Sequence, residues 1–368
     1  MKKNFHNIHI SRRKFLLSLG VFCLSLPFCK YLFAETAEKN SPVYFTKDIS
    51  PEGMKKILSA VKEKLKGKIA IKMHFGEEGN KNFLSPELVK PLAEELNASL
   101  ADSNVLYVSN RRYTKSHIQT AKNHGFDFAP IDILDSDGDK IIPARTKHFK
   151  EIRIGKNFDN YDAFLVLSHF KGHMLTGFGG AIKNISMGFA SVSGKMALHA
   201  STIPLTSPEK CIQCGKCVKE CPGKAITINP LKIYQDKCIG CGKCIGTCPV
   251  HAFNVPWMST ENSIVMERLC DYVKVITAQK PMTFINVLVN ISKDCDCDGN
   301  AHPPFMKDIG ILASHDIVAL EQACLDMVNK NYEEDDTFLK INGVSGNHQI
   351  EYAAAIGIGQ KNYTIINI

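Results

Sequence analysis

Past its first 34 residues the chain carries almost no excess of either charge. The formal charge of +8 comes largely from Lys2, Lys3, Arg12, Arg13, Lys14 and Lys30, which no acid accompanies in that stretch. Without them the 45 Lys and Arg fall to 39 against 37 Asp and Glu, a net of +2. No basic footprint for nucleic acid remains, and that class is set aside. Beyond the N-terminal region no segment has the length and apolar content of a membrane span, so no stable span is expected in the mature chain. Low-complexity tracts are absent, and so is any repeat other than one cysteine pattern. The lysine and hydroxyl order of a phosphate-binding P-loop is missing from the glycine-rich stretch as well.

Residues 1–37 read as a targeting segment rather than as part of a fold. Ser11-Arg12-Arg13-Lys14-Phe15-Leu16 has the form of a twin-arginine motif, and the apolar stretch Phe15–Phe28 that follows is too short for an ordinary transmembrane helix. Export to the periplasm is expected, with cleavage near Ala34 or Ala37. The alternative is an uncleaved anchor that leaves the protein facing the periplasm. The twin-arginine motif resembles the signal of a route that moves folded proteins, often with their cofactors already installed.

Many cysteines in an exported chain ordinarily mean disulfides. Here the spacing overrules that default. Eight of the 14 cysteines form two copies of one pattern, Cys211-x-x-Cys214-x-x-Cys217-x-x-x-Cys221-Pro222 and Cys238-x-x-Cys241-x-x-Cys244-x-x-x-Cys248-Pro249. Three closely spaced thiolates can grip three corners of a cubane, whose iron wants soft ligands. Gly215 and Gly242 free the loops, and Pro222 and Pro249 set the turn after each fourth cysteine. Short strands are expected at Ala225–Ile228 and Leu231–Tyr234, with Ala252–Val255 as their partner. Zinc knuckles rarely show a duplicated three-plus-one pattern. Residues 206–257 resemble the bacterial dicluster ferredoxins with no ligand missing. That resemblance implies two 4Fe–4S clusters, the fourth cysteine of each run serving the other cluster. One cluster would sit on Cys211, Cys214, Cys217 and Cys248, the other on Cys238, Cys241, Cys244 and Cys221.

Around this segment, helical and strand patterns alternate. Ser50-Pro51 and Ser85-Pro86-Glu87 start helices, with Pro91 expected to kink or shorten the second. Met54, Ile57, Leu58, Val61 and Leu65 mark the buried face of the first. Strands are expected at Lys68–His74, Val105–Val108, Asp162–Leu167, Val273–Ala278, Thr283–Leu288 and Ile309–Ala313. Thr114–His124 and Asp316–Asn329 read as helices. The alternation predicts an α/β domain with a mainly parallel sheet, residues 38–205 and 258–368. The small α+β ferredoxin-like dicluster module, 206–257, interrupts it.

Candidate site residues outside the module gather at strand ends, where α/β proteins hold ligands. His74 ends one predicted strand. His169 and His173 follow another, ahead of Gly177, Gly179 and Gly180, which allow close backbone approach to a cofactor, and a helix start that would favour an anion. Lys183, Lys195 and His199 come next. Any one histidine reads best as a surface residue; their repeated placement is the signal. Asp294-Cys295-Asp296-Cys297-Asp298-Gly299 offers a further metal site at Cys295 and Cys297, a strained disulfide, or a plain acidic turn. Cys270 and Cys324 read as buried small hydrophobes.

At these residues the chain resembles the "domain of unknown function 362" family, in the branch with an inserted ferredoxin module. Lys72–Glu77, His169–His199, Asp294–Gly299, Asp308–Asp326 and Glu351–Gly359 carry the likeness, with Ile317 where the family tends to have proline. The family implies iron–sulfur binding and an α/β fold, and no particular reaction. The run from His173 through Lys183 to His199 is also similar to lactate-racemase-like proteins. That likeness would make Lys183 a cofactor anchor, His199 a metal ligand and His173 an acid/base.

The function expected is an exported iron–sulfur electron-transfer protein. As an oxidoreductase it would relay electrons between a redox partner protein and a site built by His74, His169, His173, Lys183 and His199, with catalysis itself left open. A pure electron carrier and a metal-dependent racemase-like enzyme with structural clusters are the alternatives, and an additional metal or organic cofactor is left open.

Overall fold

The computed structural model describes residues 40–200, 202–257 and 259–368. The targeting segment, with Cys23 and Cys29, lies outside them. Among the described residues no helix is long and apolar enough to cross a membrane.

One eight-stranded sheet organises the chain. Its strands are β1 (Ser41–Thr46), β2 (Ile69–Lys72), β3 (Ser99–Asp102), β4 (Ile131–Ile133), β5 (Ala163–His169), β6 (Met282–Leu288), β7 (Gly310–Ser314) and β8 (Tyr363–Asn367). Their spatial order is β8-β1-β7-β6-β5-β2-β3-β4. All pairings are parallel except those of β7 with its two neighbours. The fold is therefore α/β with a mainly parallel sheet.

Both faces are covered. Every residue of β5 is buried, as a central parallel strand requires. Phe164 and Val166 enter one core, while Ala163, Leu165 and Leu167 enter the other. The second core receives α1 (Pro51–Ser59), α2 (Pro86–Leu96) and α3 (Thr114–Asn123). The first receives α4 (Ala181–Phe189), α5 (Val192–His199), α6 (Asn262–Thr277), α7 (Ile317–Tyr332) and α8 (Asn347–Ala355). Phe164 stacks on Phe158 at 5.0 Å and meets Phe189 edge-on at 4.9 Å.

Helix starts follow local chemistry. Ser50 Oγ accepts from Gly53 N, Ser85 Oγ from Glu87 N, and Asp316 Oδ1 from Val318 N and Ala319 N. Three local expectations need correction. α2 runs through Pro91 to Leu96; the missing donor would have bonded Glu87 in the first turn, so one bond is lost and the helix continues. Val273–Ala278 is not a strand but the end of α6, where Val265, Leu269, Val273 and Ile276 share a buried face. Val105–Val108 is a loop, because the strand ends earlier at Asp102, whose carboxylate is held by buried cations.

The cysteine-rich segment has its own small core around Ala225, Ile226, Leu231, Ile233, Ile245 and Phe253. Ile226–Ile228 and Leu231–Ile233 pair as a hairpin across a cis Asn229-Pro230 bond. Phe253–Asn254 pairs not with that hairpin, as expected, but with Leu205–Thr206. β5 and β6, which come before and after the segment in the chain, are neighbours in the main sheet.

Candidate functional site

From β2 the chain moves outward through β3 to β4, then returns to place β5 on the other side of β2. Where such an order reverses, the carboxyl ends of the strands diverge and leave a crevice. Asn184, on α4, bridges the split. Its Nδ2 donates to Lys72 O at 3.1 Å and to Leu167 O and Ser168 Oγ at 3.0 Å, while its Oδ1 accepts from Lys72 Nζ at 2.8 Å. The crevice opens into a cavity of about 1010 Å³ lined by residues from the ends of β2, β3 and β5 and from the loop after β6.

One wall is a buried charge network. Asp102, the last residue of β3, meets Lys72 Nζ at 3.0 Å and Arg111 Nη2 at 2.9 Å. Burial alone would raise its pKa, but Lys72, a hydrogen bond with His117 and Arg111 together hold it well below the usual carboxylate range. Burial keeps His117 neutral, with its pKa down to about 4. Glu77 accepts from Tyr107 Oη at 2.8 Å and Ser109 Oγ at 2.5 Å, and lies 3.6 Å from Arg111.

Another wall carries sulfur. Cys295 and Cys297 are free thiols. Their Sγ atoms and a ring nitrogen of His173 all lie within 4.8 Å of one another. A hydrogen bond from the Cys297 thiol holds Cys295 well below an ordinary thiol pKa against the effect of burial, with Lys183 and Lys171 assisting. Cys297 N also donates to Cys295 Sγ at 3.3 Å. Lys183 Nζ stands 3.6 Å from Cys295 Sγ. Burial would lower its pKa, but the sulfurs of Cys295 and Cys297 raise it. The neighbouring carboxylates point elsewhere. Asp296 binds His169 Nδ1 at 2.8 Å and Lys171 at 3.1 Å, and Asp294 binds His302 at 2.7 Å.

The histidines singled out from sequence reach this cavity with different freedom. His169 has both ring nitrogens engaged, by Asp296 and by Val289 O at 2.6 Å. It holds the cysteine loop rather than facing a ligand. His74 lies between Gly76 N at 3.0 Å and Arg111 Nη1 at 2.8 Å, and burial, then Arg111, pushes its pKa well down. His173 is likewise lowered by burial, then by Lys183 and His199. His199 is pushed down to about 3 by burial and nearby cations. Its ring packs edge-on to Trp257 at 4.8 Å, and its enclosed Nδ1 meets no hydrogen-bond partner. Lys195 is structural, donating to Ser103 Oγ, Asn104 O and Ala190 O.

The glycine turn is packed tightly against the rest of the chain, and Gly180 also lines the cavity. A Cβ at Gly177 would lie 2.5 Å from Gly346 N, and one at Gly180 would lie 2.6 Å from the carboxylate of Glu321. At both positions the close approach is to the chain itself. The α4 start that would favour an anion is already taken by a carboxyl group of the chain itself. Glu321 accepts from Ile182 N at 3.1 Å, and burial lifts its pKa to about 7.

In the cysteine-rich segment, Cys248 of the second run lines a small cavity together with Cys211, Cys214 and Cys217. Burial raises the Cys244 thiol to about 12, and Cys241, Cys238 and Cys221 add to the rise. Each fourth cysteine accepts from the backbone four residues on, Cys221 from Ala225 N at 3.3 Å and Cys248 from Ala252 N at 3.2 Å. The second run lies against the main cavity wall. Arg112 donates to Gly242 O at 3.2 Å and to Val105 O at 2.8 Å. A Cβ at Gly242 would sit 2.9 Å from Leu106, which lines the cavity.

The profile of the family described as "Domain of unknown function (DUF362)" matches residues 69–326. The chain belongs to this family. The DUF362 match runs from β2 into α7 and takes in every cavity residue described above. No curated protein matches. Among solved structures, the lactate racemase apoprotein from Thermoanaerobacterium thermosaccharolyticum is 14% identical with a TM-score of 0.43, over 79% of this chain and 57% of that one. A Thermotoga maritima protein is 10% identical with a TM-score of 0.40, over 77% of this chain and 60% of that one. The DUF362 chain thus spans less than two thirds of the length of either. Sequence reasoning missed Asp102, Arg111, Glu77 and Asn184. Glu77 and Asn184 lie in stretches that had drawn notice, and no local motif marks Asp102 or Arg111.

Proposed function

We propose that this DUF362 protein is an exported dicluster iron–sulfur protein that relays electrons between a redox partner protein and the cavity at the sheet's switch point. The carrying observation is the crossing of the fourth cysteines, with Cys248 beside the first run and Cys221 beside the second. Eight free thiols in two sets of four fit the donor demand of two 4Fe–4S clusters. Such clusters, when bound, supply one-electron transfer. Residues 206–257 are then the ferredoxin-like insert, and residues 1–37 the twin-arginine signal.

The chain's own contribution is the contact between Gly242, Arg112 and Leu106. It sets the second cysteine run directly behind the cavity wall. That makes the second set of thiolates the one nearer the cavity. A cavity of about 1010 Å³ with converging histidines, lysine and thiols favours an oxidoreductase over a bare carrier.

Anaerobic purification of the full chain with iron and sulfide analysis tests the reading. About eight irons and as many sulfides per chain are expected. A preparation with native secondary structure that holds none after anaerobic reconstitution would overturn it.

A further inference from the structure

We infer that His173, Cys295 and Cys297 form a mononuclear site for a borderline-soft divalent ion of the zinc class, with its fourth position open to the cavity. The site uses none of the eight module cysteines, so it stands or falls apart from the cluster reading.

Among the described residues this is the one group of three metal-ligating side chains whose donor atoms all lie within 4.8 Å. Two thiolates and an imidazole are a soft and borderline donor set, which selects against magnesium and calcium. Three protein ligands with a vacant fourth position is the usual form of a catalytic zinc centre, whereas structural zinc is closed by four.

The approach is built into the backbone. The strand Lys171–His173 is fastened to the loop that carries the cysteines, with Gly172 N donating to Ser292 O at 2.8 Å. A Cβ at Gly172 would lie 2.3 Å from Lys293 O, so a residue with a side chain would push His173 away from the thiols. The Cys-Asp-Cys loop is held by its backbone. Glu77 N donates to Asp296 O at 2.8 Å and Asn80 Nδ2 to Asp298 O at 2.7 Å, while Tyr107 Oη, which donates to Glu77, lies 3.2 Å from Cys297 O. The Asp296 carboxylate is turned outward onto His169 and Lys171. With the backbone and the acid held this way, the two sulfurs face His173.

The imidazole is fixed within its own turn. Leu175 N donates to His173 Nδ1 at 3.2 Å, and Thr176 Oγ1, which donates to Phe178 O at 2.8 Å, lies 3.0 Å from the same nitrogen. With Nδ1 occupied on that side, Nε2 is the nitrogen we assign to the metal. The fourth position would be taken by a water or substrate oxygen from the cavity, which His199 also lines. The ion would polarise that oxygen as a Lewis acid.

The test uses the full chain, reconstituted with iron and sulfide and then given zinc under anaerobic conditions. About one non-iron metal per chain is expected, with X-ray absorption at the zinc edge showing sulfur near 2.3 Å and nitrogen near 2.0–2.1 Å. His173→Gln, and Cys295→Ser with Cys297→Ser, should each lose that zinc and keep the iron. Zinc bound with mixed sulfur and nitrogen ligation while iron is absent supports this site and sinks the cluster reading; all-sulfur ligation overturns the inference. Three other outcomes overturn the inference: no zinc bound by wild type, zinc retained in the double serine variant, or a Cys295–Cys297 disulfide found by mass analysis of the native protein. The absorption spectrum of wild type decides the matter even if the variants fail to fold.

Discussion

Asp102→Asn puts the buried charge network to a direct test. The side chain keeps its shape and its ability to accept a hydrogen bond, but Lys72 and Arg111 lose their shared counter-charge. At 3.0 and 2.9 Å, with an effective dielectric of about 20, each pair has roughly 5–6 kcal/mol of gross attraction, most of which offsets the desolvation of both partners. Removing one partner of a buried pair leaves an uncompensated charge and costs about 3–5 kcal/mol. At about 2 °C per kcal/mol for a large domain, the unfolding midpoint should fall by roughly 6–10 °C. Far-UV circular dichroism at fixed scan rate, on preparations with matched iron content, reads this. Adding Lys72→Met removes one orphaned ammonium, so the double variant should be less destabilised than the two single losses added together. A single variant melting within about 2 °C of wild type, or simple additivity in the double, would refute the argument.

Three further outcomes are expected. Phe164→Ala, near the start of β5 between Phe158 and Phe189, should cost about 3–5 kcal/mol in unfolding experiments while leaving iron content per folded chain unchanged. Burial raises Glu321 from 4.5 to about 7 in the folded chain, so the folded state binds the extra proton between those values and stability should fall as pH rises through that window. Glu321→Gln should flatten this slope; an unaltered pH profile counts against the assignment. Cys221→Ser should remove a ligand from the cluster on Cys238, Cys241 and Cys244, and Cys248→Ser from the other. Electron paramagnetic resonance of the reduced variants should show the cluster of the opposite run altered in each case, and loss of a variant's own run's signal would show that the ligands do not cross.

The elements most legible from sequence were those with a local chemical marker. Ser50-Pro51, Ser85-Pro86 and Asp316 announce helix starts through capping, and the apolar runs at 163–167 and 283–288 announce buried strands. Val273–Ala278 misled because a short apolar run has no period of its own; only with Val265 and Leu269 does its helical spacing show. The site was legible to the extent that strand ends could be located. His173, Lys183, His199 and the cysteine pair do share one cavity. The network of Lys72, Asp102 and Arg111 was not legible, because three charged residues spread over forty positions look like ordinary surface until the sheet brings them together. The packing that demands glycine at 177 and 180 was hidden for a similar reason. The atoms that demand them, on residue 346 and on Glu321, lie far along the chain.

The cysteine-rich segment leaves the larger body along Leu205–Thr206 and comes back along Phe253–Asn254, two stretches hydrogen-bonded side by side. Its two attachment points are therefore neighbours, and a short bridge could span them with little loop-closure entropy. This gives the segment the character of a cartridge. A different cysteine-bearing insert could be grafted onto the same two stems, provided that it presents to Leu106 and Met196 an apolar surface like the one they now touch; on the proposed function this would reset the supply of electrons. The sheet and its cavity would not need to be redesigned.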